Sequence, residues 1–333
     1  MPRTTTPNLP PLLKSKIYKT GQTRGADDDV IFQNRVSRNS TVLFPYSYWN
    51  LCKTPSATEA AYENGFIVLL SPSDYFQNAT IEEELAAKGL ALGTNALVFY
   101  ETRAQWLAFP PSAVNWTPAN QRTAPLGGQY VARIAATTAA VDGERLNFGF
   151  TGKPKGAGIR VYEYASTKSI EQCRLQLEAL YWMCADAIPV ALANGMSQAN
   201  IDARKEGIFA TGGQLDLLDL PKLTHQRMLN SNGRTTCPLC LEELSAQGFF
   251  DRMEQAEGRA VHDLTVTKLN LFHIDEVRLG SLNHRPYNLG WGHHHCNVVV
   301  KDSGIDKTLQ WMQAVVARNL AEGHLPVASN KAS

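Results

Sequence analysis

Between residues 41 and 164 the apolar residues come in short runs: Thr41-Val-Leu-Phe44, Phe66-Ile-Val-Leu-Leu70, Ala96-Leu-Val-Phe-Tyr100, Tyr130-Val-Ala-Arg-Ile134, Leu146-Asn-Phe-Gly-Phe150 and Ile159-Arg-Val-Tyr162. Each is rich in β-branched or aromatic residues and bounded by Pro, Gly, Asn or Ser, which is the pattern of strands between turns. One helix is expected among them, near Ile81–Ala91. From Ser169 to Asn194 the apolar spacing becomes helical, with Ser169 as N-cap, Glu171 in the first turn and Gly195 just past the end. A second helix is expected at Gln198–Gly207, and the Glu242–Gly258 stretch also patterns as a helix.

These patterns divide the chain into an N-terminal arm (1–40), a β-rich domain (41–168), a helical connector (169–224) and a C-terminal module (225–333). The fold class expected is α+β. No internal repeat or extended low-complexity tract interrupts this layout.

The 333 residues are enough for two domains with real cores. A formal charge of +1 excludes a uniformly basic nucleic-acid coat and an acidic disordered chain alike. No apolar run reaches the roughly 18 residues of a membrane span, and the start, Met-Pro-Arg-Thr-Thr-Thr, lacks a secretory signal's apolar core. No membrane association and a reducing cytoplasm are therefore expected. Charge is uneven locally: residues 1–40 carry seven Lys or Arg against three Asp, a net +4. Such an arm suits a phosphate backbone, and a solvated tail has the same composition.

Metal and proton chemistry is concentrated in the last third, where all eight histidines lie. Cys52, Cys173 and Cys184 sit singly in apolar contexts and read as buried thiols. Cys237-Pro-Leu-Cys240 is different, because two thiolates two residues apart can face one tetrahedral ion. In Trp291-Gly-His-His-His-Cys-Asn297, His293 and Cys296 repeat that spacing. Cys237, Cys240, His293 and Cys296 would make a closed, structural Zn²⁺ site, with His293 preferred over His294 and His295 on spacing alone. The bland reading is a buried Cys pair and a histidine-rich turn, which two matching dyads disfavour.

Around this frame the chain reads Leu271-Phe-His-Ile-Asp-Glu-Val277, then Pro286-Tyr-Asn-Leu-Gly-Trp-Gly-His-His-His-Cys-Asn-Val-Val-Val-Lys301. Over roughly residues 235–305 it resembles the HNH nucleases of the ββα-metal fold, as found in type II restriction endonucleases. The resemblance implies His273 as general base, Asn288 as the central asparagine and Asn297 as ligand of a catalytic Mg²⁺. It departs at Phe272, where many members carry Asp as a second metal ligand; Asp275 is the substitute candidate. His284, His294, His295 and Glu276 are reserves.

The resemblance further implies a site-specific endonuclease acting on double-stranded DNA. The β-rich domain would read the target, and a homodimer would serve a palindromic site. A modification-dependent endonuclease, a zinc-stabilised DNA-binding protein that does not cut, and a nonspecific nuclease are the alternatives. The aromatic cluster Phe44-Pro-Tyr-Ser-Tyr-Trp49 could cage a flipped base, although core packing is favoured. Gly152-Lys-Pro-Lys-Gly-Ala-Gly158 matches no phosphate loop and reads as a hairpin turn.

Overall fold

The computed structural model describes residues 7–18, 42–53, 62–63, 65–100, 102–115, 130–132, 159–160, 164–256, 259–260, 267–301 and 303–325. The expected strand at Leu146–Phe150 and the Gly152–Gly158 turn lie outside these. The chain forms two compact units, one of residues 19–170 with 278–282, the other of 1–18, 171–277 and 283–333.

The chain's first helix, α1 (Pro11–Tyr18), belongs to the second unit, and Leu13, Lys16 and Ile17 are buried there. Of the stretch expected to form a basic N-terminal arm, Pro11–Tyr18 is a helix grouped with this unit. Leu9, just before the helix, and Leu13 and Ile17 within it follow one another at intervals of four and bury one side of the segment, and Lys16 Nζ goes in with them, donating to the Leu269 carbonyl at 3.0 Å.

The first unit holds β1 (Val42–Pro45), α2 (Trp49–Cys52), β2 (Phe66–Leu70), α3 (Pro72–Phe76), α4 (Ile81–Ala87), β3 (Ala96–Tyr100), α5 (Arg103–Ala108), β4 (Tyr130–Ala132) and β5 (Ile159–Arg160). Its five strands form one sheet in the order β4-β3-β2-β1-β5, and every pairing is parallel. This corrects the expected mainly-β domain with a single helix. Parallel neighbours cannot be joined by tight turns, so the chain must cross back between strands, and α3 and α4 fill the β2-to-β3 crossing. Capping boxes start α3 (Ser71 with Asp74) and α5 (Thr102 with Gln105).

Burial on both faces explains why Phe66–Leu70 and Ala96–Tyr100 are continuous apolar runs with no alternation. Phe44 is fully enclosed in this unit's core and stacks on Trp49 with ring centroids 6.0 Å apart; Tyr46 and Trp49 are half-buried against that core, and Tyr48 is exposed.

In the second unit the expected Ser169–Asn194 helix is two helices, α6 (Thr167–Trp182) and α7 (Ala187–Ala193). Pro189 explains the break: it has no N–H to give a carbonyl four residues back, and it is tolerated only in a first turn. The cap of α6 is Ser166, whose Oγ accepts from Ser169 N at 3.1 Å, which places Ser169 inside the helix. Gly195, at φ +91°, follows α7 as expected. Helix α8 (Gln198–Gln214) begins where expected and runs two turns further, followed by α9 (Leu220–His225).

These helices share one core with the C-terminal residues. The spine is α6: Gln176 donates to Leu217 O (2.8 Å) and accepts from Tyr287 N (2.7 Å). The Leu177 carbonyl takes the Trp291 indole N–H at 2.8 Å, and the Leu180 carbonyl takes the Thr235 hydroxyl at 2.6 Å.

Among the described residues of the 242–258 stretch there is no α-helix. A short 3₁₀ turn at Ala246–Phe249 leads instead to β6 (Glu254–Ala256), paired with β7 (Arg259–Ala260). Asp186 takes the Ser245 hydroxyl (2.5 Å) and the Ala246 N–H (2.6 Å), which commits this backbone to a cap and turn. Gly248 also packs so closely that an added Cβ would lie 2.8 Å from Leu269 Cγ.

The chain then forms β8 (Leu269–His273) and β9 (Leu289–His293), an antiparallel pair, followed by α10 (His294–Val300) against both strands and α11 (Ile305–Ala321). Among the described residues no helix is long and apolar enough to cross a membrane.

Candidate metal centre beside a strand–strand–helix motif

Cys237 and Cys240 occupy a tight turn enclosed by the isolated antiparallel bridge Thr236–Glu243. The turn closes by Leu241 N donating to Cys237 O and Cys237 N donating to Glu242 O, each at 2.9 Å. It demands a left-handed residue after the second cysteine, and Leu241 supplies it at φ +63°. Arg227 braces the turn from outside, its Nε donating to the Pro238 carbonyl at 2.6 Å. Nothing in the local motif marked that arginine.

Across from this turn, β9 ends at His293, which is also the N-cap of α10; Cys296 stands in the first helical turn. Three residues apart across a helix start, the two side chains face the same way. The donor atoms of Cys237, Cys240, His293 and Cys296 all lie within 4.8 Å of one another, and His293 Nδ1 is 3.3 Å from Cys240 Sγ. A tetrahedral ion with bonds of about 2.0–2.3 Å separates its ligands by roughly 3.5–3.8 Å, so this donor set can bind zinc.

The consecutive histidines part company here. His294 Nδ1 lies 2.9 Å from Asn270 Nδ2, and His295 is exposed, stacked on His293 with centroids 5.2 Å apart.

The electrostatics suit a cation. Burial opposes ionisation of Cys237, but hydrogen bonds from His293 and nearby backbone amides outweigh it and bring its pKa down to about 6. His293 is raised, chiefly by its hydrogen bond to Cys237 and against its burial. Burial, and then the Cys237 charge, hold Cys240 and Cys296 above the ordinary thiol value. Three thiols that resist joint ionisation would lose that resistance with a dication among them.

His273 closes β8, half-buried and paired in register with Leu289. Phe272 points to the opposite strand face and is fully buried, so its place is occupied by core rather than by a ligand. Asn288 is also fully buried. Its Oδ1 accepts from Asp275 N at 2.6 Å and its Nδ2 donates to Asn283 O at 2.7 Å, so it ties together the two ends of the loop between the strands.

Asp275 is exposed, Glu276 pairs with Lys307 at 2.7 Å, and Asn297 is half-buried on α10. Sequence reasoning held His284 only in reserve. The structure buries it and sets its Nδ1 3.1 Å from His273 Nε2. Beside the cysteine cluster a cleft of about 560 Å³ is lined by Asp251, Arg252, Met253, Lys268, His293 and His295.

The chain thus combines a parallel-sheet unit with a second unit in which a zinc-competent Cys₃His cluster clasps a strand–strand–helix motif. It belongs to the BstXI restriction endonuclease family, whose model matches residues 15–294. A solved structure described as a type II restriction endonuclease is similar at 16% identity and a TM-score of 0.29, over 47% of this chain and 54% of its own length. This chain therefore spans about half of that neighbour. No curated protein matches the chain.

Proposed function

We propose that this protein is a site-specific, type II-like DNA endonuclease whose second unit cuts through an HNH-type ββα site. The observation that carries the reading is the position of His273. It ends the first strand of a hairpin, precedes a loop closed by a buried asparagine, and is followed by a helix whose first turn supplies a zinc donor. Membership of a restriction endonuclease family supports the reading independently.

In this reading the His273 imidazole takes the proton of the attacking water. Asn288 acts without touching substrate, by fixing the backbone after His273. The Cys₃His cluster is structural, because four protein ligands leave no open position.

A catalytic Mg²⁺ would be held by the Asn297 amide oxygen, with Asp275 as a further oxygen donor; when bound, it neutralises charge on the phosphate and on the departing oxygen. Among the described residues, the cysteine cluster is the only group of three or more His, Cys, Asp or Glu donors converging on one point. Asn297 and Asp275 would supply oxygen ligands, which suit Mg²⁺, an ion that keeps several waters.

The first unit is assigned to target recognition. Arg252 and Lys268 in the cleft beside the cluster suit a phosphate backbone. One base histidine per chain and two strands to cut favour a homodimer, and the cytoplasm is the compartment proposed.

The test is digestion of sequenced plasmids, methylated and unmethylated, with Mg²⁺ and end mapping, using wild type and His273→Ala. Discrete ends from unmethylated DNA, lost in the folded variant, are expected. Ends only from methylated DNA would select the modification-dependent alternative. Wild-type protein that binds but never cuts would leave a zinc-stabilised binding protein. Full cleavage by His273→Ala would move the base elsewhere.

A further inference from the structure

The loop between β8 and β9 does not belong to one unit. Residues up to Val277 and from Asn283 onward group with the second unit, whereas Arg278–Leu282 group with the first. Leu282 is 6% exposed and belongs to the first unit's core with Phe44, Val68 and Val98; Leu279 packs against the same core. Between the two leucines the backbone runs close to α2, since a Cβ on Gly280 would stand 3.1 Å from the Leu51 carbonyl oxygen. Ser281 Oγ accepts from Arg278 N at 3.3 Å and donates to Arg278 O at 2.9 Å, so these five residues form a closed turn.

The backbone of Leu282 is left-handed, at φ +49°. Leucine is disfavoured there and glycine is not. Such strain persists where surrounding contacts fix the residue, and burial of the side chain in the first unit supplies them. The next residue fastens the second unit. Asn283 Nδ2 donates to Glu276 O at 2.6 Å, the Asn283 carbonyl accepts from Asn288 Nδ2 at 2.7 Å, and Asn288 Oδ1 accepts from Asp275 N at 2.6 Å. One peptide bond therefore separates an anchor in the first unit from the hydrogen bonds that order the backbone after His273.

We propose that Leu282 is a positioning residue that couples target recognition to cleavage: its hold on the first unit sets the 274–288 loop, which takes its cutting arrangement when the first unit is seated on its target. The proposal rests on the reading of the second unit as the one that cuts and the first as the one that reads sequence. The tie is short, packed on one side and covalent on the other, so a shift of the first unit's core around Leu282 reaches the loop directly. Target and near-target DNA should then differ more in cleavage rate than in affinity.

The experiment uses the full-length protein and compares Leu282→Ala with Leu85→Ala, which opens a similar cavity in the same core from α4. Both are measured below their melting temperatures. On duplexes carrying the mapped target, single-turnover cleavage at saturating protein should fall on the order of 10- to 100-fold in Leu282→Ala, with DNA affinity and zinc content near wild type. Leu85→Ala should cut near the wild-type rate, and Leu282→Met, which refills the space, should recover most of the loss. The preference for target over near-target cleavage should shrink in Leu282→Ala. Amide hydrogen exchange, which needs no cleavage, should quicken at residues 274–276 in Leu282→Ala and stay as in wild type in Leu85→Ala.

Equal losses in Leu282→Ala and Leu85→Ala, no recovery in Leu282→Met, or unchanged exchange at 274–276 would overturn the proposal while wild-type cleavage at discrete sites still stood. Wild-type protein that never cuts would remove the cutting reading and this coupling together.

Discussion

Phe272 lies against Gly292 across the β8–β9 hairpin so closely that a Cβ on the glycine would stand 2.5 Å from the ring's Cδ2. The contact accounts for two features at once: the strand that carries His293 contains glycine, and the position before His273 holds an aromatic ring. A ring fixed in a core cannot yield as the tip of a flexible chain can. Gly292→Ala should therefore destabilise the second unit by about 1–3 kcal/mol, read as a lower denaturation midpoint. Unchanged stability would mean that the hairpin repacks freely.

The cysteine cluster joins the 235–244 turn to the start of α10, and Cys237 and Cys296 are both buried. Purified protein should contain about one zinc per chain that survives a weak chelator, and a strong chelator should abolish cooperative unfolding of the second unit. Metal-free protein that still melts cooperatively there would refute a structural role.

Leu241 pays for its place in the turn, at φ +63° and 53% exposed. A left-handed backbone costs an L-residue about 1–2 kcal/mol, and this side chain buries little in return. Leu241→Gly should stabilise the protein by about 1 kcal/mol and slow zinc loss to a competing chelator, whereas Leu241→Val should do the reverse. A less stable glycine variant would show that Leu241 makes contacts worth more than its strain.

How far the sequence could be read follows from what each signal depends on. Cysteine and histidine spacing depends only on ligand geometry, and it located Cys237, Cys240, His293 and Cys296 as a group, which the structure brings within 4.8 Å. Apolar runs located β1, β2 and β3 because a strand's composition is local. Strand direction is not local, and the parallel sheet went unread although the unbroken run Ala96–Tyr100 carried the sign of burial on both faces. The break before α7 was visible in Pro189, and the false helix over 242–258 in Ser245 and Gly248. Burial of Lys16 had no local mark, since its acceptor, the Leu269 carbonyl, lies 253 residues away. The pairing of His284 with His273 depends on a loop closed by Asn288, which no spacing rule expresses.

His273 and Asn297 stand on different elements, the end of β8 and the body of α10, and the proposed chemistry gives them different tasks. His273→Ala should lower the cleavage rate on the order of 10²–10⁴-fold by removing the proton acceptor, with zinc content and DNA affinity unchanged. Raising Mg²⁺ or supplying Mn²⁺ should not restore it, because no ion replaces the lost base. Asn297→Ala should weaken an oxygen ligand instead, so part of its defect should recover at high Mg²⁺ or with Mn²⁺. Titration of Mn²⁺ binding, followed by electron paramagnetic resonance, separates the two without reference to activity: affinity should fall in Asn297→Ala and hold in His273→Ala. A general folding defect would lower both variants together and release zinc. Equal Mn²⁺ affinity in all three proteins would remove Asn297 from the ion and leave Asp275 as the ligand to test.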